Sequence, residues 1–186
     1  MTTGREIERR DRFESFYRTH YEAVLAYALR RSTHETAIDA TAETFLIAWR
    51  RFDEISGNPV PWLLGVARRV LANQFRSTSR SQALVDKLRA EITVPVAPRS
   101  PDPADTPVIE AFARLSPLDR EALALIAWEG LEPREAARVL GMSAVAFRSR
   151  LHRARRRLEK ALARGSGNPS VNAISASLIG ARECRK

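Results

Sequence analysis

Five of the chain's ten prolines fall between positions 95 and 107, in the stretch TVPVAPRSPDPADTP. Proline fixes φ and lacks a backbone N–H, so it cannot continue a helix or a central strand. At this density it favours extended, semi-rigid backbone. A single core threaded through all 186 residues is therefore not expected. The prolines predict two folded parts, 1–91 and 108–164, joined by a linker over roughly 92–107. The last stretch, 165–186, opens with glycine, serine, asparagine and proline and reads as a tail of unassigned role.

Both parts read as helical. In 12–31, Phe13, Phe16, Tyr17, Val24 and Ala28 recur at helical spacing with charges between them. In 35–52, Ile38, Ala42, Phe45, Trp49 and Phe52 follow at steps of four and three, which predicts one apolar stripe. The residues SGNPVP then break the chain, and a third helix is expected from Trp62 to about Thr78, burying Leu63, Val66, Ala67 and Val70. After the linker a helix is expected over 108–115. Ser116 and Pro117 open the next, which Gly130 ends; Glu132 and Pro133 open another, to Leu140. Gly141 suits a left-handed residue after a helix, and Ser143 suits the N-cap of a last helix running to about Ala163. No sustained alternation and no Asn-Gly hairpin supports a strand, so the expected class is all-α.

Charge narrows the function. The chain carries 31 Lys+Arg against 22 Asp+Glu, a formal net charge of +9, and 28 of the basic residues are arginine. Eight basic residues and one glutamate fall within 145–164 alone. Such local concentration points to a polyanion as partner. No apolar run approaches the ~18 residues of a spanning helix. The charged first twelve residues predict no secretory signal, hence a soluble, cytoplasmic protein without membrane insertion. The single cysteine, Cys184, rules out an internal disulfide and any multi-cysteine zinc site.

The segment PREAARVLGMSAVAFRSRLHRARRRL reads as two short helices joined by a three-residue turn containing glycine. Ala136 and Ala137 allow a close crossing, while Leu140, Met142, Phe147 and Leu151 fill the angle. A helix-turn-helix presents the start of its second helix to base edges in the major groove. Arg148, Ser149, His152 and Arg153 occupy that start, away from Phe147, Leu151 and Ala154, and are expected to read bases. Arg150, Arg155, Arg156 and Arg157 are expected to grip phosphate. A basic helix packed on its neighbours, or lying on a membrane surface, is the plainer account of the same arginines.

Two further features lie in the first part. Arg69, Asn73, Arg76 and Arg80 form a polar stripe on the third helix, preceded by the turn at Asn58 and by Trp62. Arginine, amide groups and an aromatic ring are what holds unpaired bases; a solvated face with Trp62 in the core is the alternative. Glu35, Asp39 and Glu43, four apart, form a carboxylate row. A metal pair of the Glu-x-x-His kind is excluded, since Tyr17, Arg31 and Ser149 stand three residues before His20, His34 and His152. The row therefore faces water or a basic protein surface.

Taken together, HYEAVLAYALRR, TAETFLIAWRRF, PWLLGVARRVLANQFR, the Pro-rich linker, LSPLDREALALIAWEGLEPREAARVLGMS and FRSRLHRARRRLEKAL resemble an extracytoplasmic-function (ECF) sigma factor of bacteria. The resemblance covers about 12–80 and 108–163. It implies sigma regions 2 and 4, with core RNA polymerase and promoter DNA as partners. The polymerase would be met at the β′ clamp helices through Glu35, Asp39, Glu43, Phe45 and Trp49, and at the β flap. Asn58, Trp62, Arg69, Asn73 and Arg76 would then serve the −10 element, and Arg148, Ser149, His152 and Arg153 the −35 element. An anti-sigma factor is a further expected partner. The sequence departs from the family at Ala42, where glutamine is usual, at Arg69 and Asn73, where asparagine and aspartate are frequent, and at Val145 and Ala146, where glycine and threonine are common.

Two other classes compete. A homodimeric repressor needs a self-complementary apolar surface and usually a sensing domain, and the first part shows neither a pocket signature nor a sustained heptad seam. A nucleic-acid enzyme needs a Walker loop, a G-x-S-x-G elbow, a metal cluster or a Cys/His pair, and none is present. The expectation is a non-enzymatic promoter-specificity subunit without a cofactor.

Overall fold

The computed structural model describes residues 4–88 and 106–165, with side chains described over 4–77 and 110–163. Most of the expected linker and nearly all of the tail, Cys184 included, lie outside the described residues. Contacts divide the chain into two compact units, Met1–Ile92 and Thr93–Lys186. Every regular element among the described residues is helical.

The first unit contains α1 (Gly4–Leu29), α2 (His34–Arg50), a short 3-10 turn (Phe52–Glu54) and α3 (Val60–Leu88). Thr33 caps α2, its hydroxyl accepting the Thr36 N–H at 3.4 Å. Gly57 takes φ +70°, and Asn58 Oδ1 accepts the Val60 N–H at 3.2 Å, so this turn starts α3. Helix α2 lies against both α1 and α3. Its buried side is made of small residues, Ala37, Ala40, Thr41, Thr44 and Ala48, together with Phe45. The hydroxyls of Thr41 and Thr44 donate to the carbonyls of Ala37 and Ala40, both at 2.7 Å, so neither is an unpaired polar group in the core. The expected apolar stripe is thus displaced: Ile38 is 41% exposed and Ala42 faces outward. Alanine and threonine take five of the six buried positions, and Phe45 takes the sixth.

One side of α1 and α2 is closed by aromatic rings. Phe13 meets Trp49 at 5.0 Å and Phe52 at 5.2 Å, and Tyr17 meets Phe45 at 4.7 Å. Arg9 covers this cluster, with its guanidinium 4.2 Å from the Trp49 ring, bonded to Asp53 Oδ2 at 2.9 Å and to the Trp49 carbonyl at 2.7 Å. These contacts hold α1 against α2 over residues before 12, where its apolar spacing suggests a start.

The second unit contains α4 (Thr106–Ala113), α5 (Pro117–Ala127), α6 (Pro133–Leu140) and α7 (Ala144–Gly165). Thr106 and Pro107, expected in the linker, form the first turn of α4. Helix α7 packs on α4, α5 and α6 through Phe147, Leu151, Ala154, Leu158 and Leu162, all buried. Local chemistry starts and stops each element. Ser116 Oγ accepts the Asp119 N–H at 3.2 Å with Pro117 in the first turn, and Glu135 Oε2 accepts the Glu132 N–H at 3.0 Å at the start of α6.

Candidate nucleic-acid interface and docking face

Helices α6 and α7 are joined by Gly141, Met142 and Ser143. Gly141 stands at φ +67°, ψ +35°, where a side chain would be strained, and the Met142 N–H returns to the Ala137 carbonyl at 3.0 Å. Ser143 Oγ then accepts the Ala146 N–H at 3.2 Å and starts α7. Ala136 and Ala137, both buried, let the helices cross closely. This is a helix-turn-helix.

At about 100° per residue, the face opposite Phe147, Leu151, Ala154 and Leu158 carries Val145, Ser149, His152 and Arg156, in steps of four, three and four. All four are exposed. Arg148 and Arg153, also exposed, flank this ridge on either side. The four residues expected to read bases are therefore brought together on one convex face.

The residues expected to hold phosphate are sorted differently. Arg150 and Arg157 turn toward α5 and share the carboxylate of Asp119. Arg150 Nη1 lies 2.8 Å from Oδ1, and Arg157 Nη1 bonds Oδ2. Asp119 is 1% exposed. Burial pushes its carboxyl up, but hydrogen bonds from Ser116, Arg150 and Arg157, with the Arg157 charge, outweigh this and hold it below its usual range. Arg156 remains on the outer ridge, and Arg155 is half-buried on the flank. Sequence reasoning did not single out Arg134 and Arg138, both exposed one turn apart on α6, the helix that crosses the backbone in such motifs. Their spacing of four was the available signal.

In the first unit, Arg69, Asn73 and Arg76 share one exposed stripe of α3, where Arg76 Nη2 donates to Asn73 Oδ1 at 2.5 Å. Phe75, 54% exposed, stands beside them. Asn58 is exposed in the turn that starts α3, and Trp62 is half-buried. On α2, Glu35, Asp39 and Glu43 are exposed, and beside them run Ile38, Ala42 and Leu46, the last 50% exposed. Phe45, 3% exposed, lies in the core, and Trp49 is half-buried under Arg9. These two support the face from beneath; Ile38 and Leu46 form it. Among the described residues, no cluster of three or more His, Cys, Asp or Glu side chains could hold a metal ion, and no helix is long and apolar enough to cross a membrane.

Comparison with known proteins agrees with this geometry. The family pattern for Sigma-70 region 2 matches residues 16–81, and that for Sigma-70 region 4 matches residues 106–158. The ECF RNA polymerase sigma factor BldN of Streptomyces coelicolor is 30% identical over 168 residues, covering 82% of this chain and 61% of that protein. The RNA polymerase sigma factor CarQ of Myxococcus xanthus is 31% identical over 160 residues, covering 82% of this chain and 90% of that protein. Among solved structures, the sigma factor RpoE in complex with the anti-sigma factor NepR, from Bartonella quintana, is 27% identical. It has a TM-score of 0.61 and covers 81% of this chain and 96% of that one.

Proposed function

Since the chain belongs to the sigma-70 family of RNA polymerase sigma factors, we propose that it is an alternative sigma factor of the ECF kind, which binds core RNA polymerase and directs initiation at −35/−10 promoters. The observation that carries this reading is the convex ridge of α7. It sets polar and basic side chains outward, opposite a buried apolar stripe, on the second helix of a helix-turn-helix within the region-4 match. In this reading 108–164 engages the −35 element and 1–91 engages the polymerase and the −10 element, with the intervening segment spanning between them. The chain supplies no catalytic group, because the polymerase performs the chemistry.

Charge and shape assign the parts. The Val145-to-His152 ridge with Arg148 and Arg153 enters the major groove, while Arg134, Arg138 and Arg156 meet phosphates. Arg69, Asn73, Arg76 and Phe75, with Asn58 and Trp62 at the entry to α3, offer guanidinium, amide and aromatic groups to the unpaired −10 strand. The acidic and apolar outer face of α2 meets a basic, apolar helical surface of the clamp, and region 4 meets the β flap. The likeness to RpoE, solved with NepR, makes an anti-sigma factor a partner to be sought. All of these partners place its work in the cytoplasm.

Run-off transcription tests the reading. Core polymerase with the protein is expected to initiate at a defined site on a cognate template, and core polymerase alone is not. Sequence-specific binding by the isolated protein without polymerase-dependent initiation would instead identify a repressor.

A further inference from the structure

Val145 is the most exposed large apolar side chain among the described residues, at 65%. It stands in the first turn of α7, where Ser143 caps the helix and no neighbouring helix covers it. It contributes little to the core, and its β-branched side chain loses rotamer freedom in a helix. Its position is nonetheless specific. It heads the ridge that continues through Ser149, His152 and Arg156, at the end of the helix that such motifs bring to base edges.

Base edges in the major groove are donors and acceptors, with one apolar exception, the C5 methyl of thymine. Valine carries no polar atom. Set against a guanine, adenine or cytosine edge, it would strip water from polar atoms and return no hydrogen bond. Set against a thymine methyl, it buries apolar surface on both sides. We propose that Val145 is a specificity-determining residue that selects thymine at one position of the −35 element by packing on the C5 methyl. The inference rests on the reading of α7 as the −35 helix.

The test uses holoenzyme assembled from the full chain and core polymerase. Selection from promoters randomised in the −35 element is expected to yield a position where wild type prefers thymine and V145A does not. At that position, replacing thymine by deoxyuridine removes only the methyl. Wild-type binding is expected to fall about fourfold, the effect of losing one buried methyl, while V145A binds both bases within about twofold. Placing 5-methylcytosine there should restore binding over cytosine for wild type only. Thermal melting unchanged from wild type shows that V145A is folded. Equal losses in wild type and V145A on deoxyuridine overturn the inference, as does a V145A defect uniform over all sequences, or the absence of any Val145-dependent thymine. Those outcomes leave run-off transcription intact. Failure of wild type to initiate at all overturns the sigma reading and this inference with it.

Discussion

Asp119 on α5 and Arg150 on α7 meet at 2.8 Å across the second unit, and Arg157 takes the other carboxylate oxygen. The carboxylate is buried, whereas Arg150 and Arg157 keep 29% and 59% of their side-chain surface exposed. Asp119→Ala leaves two arginines without their partner at a helix contact. We expect a loss of roughly 2–4 kcal/mol, lower than for a wholly buried pair because Arg157 can rehydrate. For a unit of this size that corresponds to a fall of about 15–30 °C in melting temperature. Calorimetry on the full chain checks it, and transitions unshifted from wild type would show the pair to be dispensable.

The same carboxylate sets an acid limit. Its pKa is held below the ordinary value in the folded chain, so the unfolded state takes up its proton first. The stabilisation is fully present above the unfolded pKa near ~3.9 and is lost as pH falls through the lower folded value. Melting curves between about pH 5 and pH 2 should show this loss in wild type and a flatter dependence in Asp119→Asn.

Arg9 ties the start of α1 to the end of α2. Arg9→Ala removes two hydrogen bonds and a cation–π contact. A cost of about 1–2 kcal/mol is expected, confined to local opening. Hydrogen exchange should accelerate over 4–13 and remain unchanged in α3; acceleration throughout the unit would mean that Arg9 supports the whole core.

On α2, Asp39→Arg with Glu43→Arg reverses charge on the exposed row, and Ile38→Ser with Leu46→Ser removes the neighbouring apolar surface. Each pair should weaken core-polymerase binding at least tenfold while leaving the melting temperature within a few degrees. Phe45→Ala should instead unfold the unit, because that ring is in the core. Pull-down with core enzyme beside thermal melts separates the two effects.

Arg148→Ala and Arg153→Ala should relax preference at particular −35 positions, by about 1–3 kcal/mol where the guanidinium bonds guanine. Arg156→Ala should lower affinity for every sequence alike and reduce the slope of log K against log salt by about 0.9. Arg150→Ala should act mainly through stability, because its guanidinium is already bonded to Asp119. A panel of single-base −35 variants at two salt concentrations resolves these cases.

Helix boundaries governed by neighbouring residues are legible in the amino-acid sequence alone. Ser116 with Pro117, Glu132 with Pro133, and Gly141 with Ser143 each place a boundary through caps and backbone preference, and the observed boundaries fall there. The division of α2 between inside and outside is not legible in that way. Hydrophobicity alone sends Ile38 inward, whereas the side of α2 that faces α1 and α3 is filled by Ala37, Ala40, Thr41, Thr44 and Ala48 with the single ring of Phe45. The sorting of arginines on α7 is equally hidden, since Arg150 and Arg157 differ from Arg148 and Arg153 only by a partner some thirty residues or more away in sequence. Val145 stands out in the sequence only as a departure from a familiar pattern, and its meaning needs its exposure.

The small-residue seam of α2 has a mechanical consequence. Alanine has no rotamer to change, and the two threonine hydroxyls are tied to the backbone of their own helix. Close-packed contacts of this kind transmit strain instead of absorbing it. Substitutions on the outer face of α2 therefore leave unchanged the small side chains that set its spacing from α1 and α3.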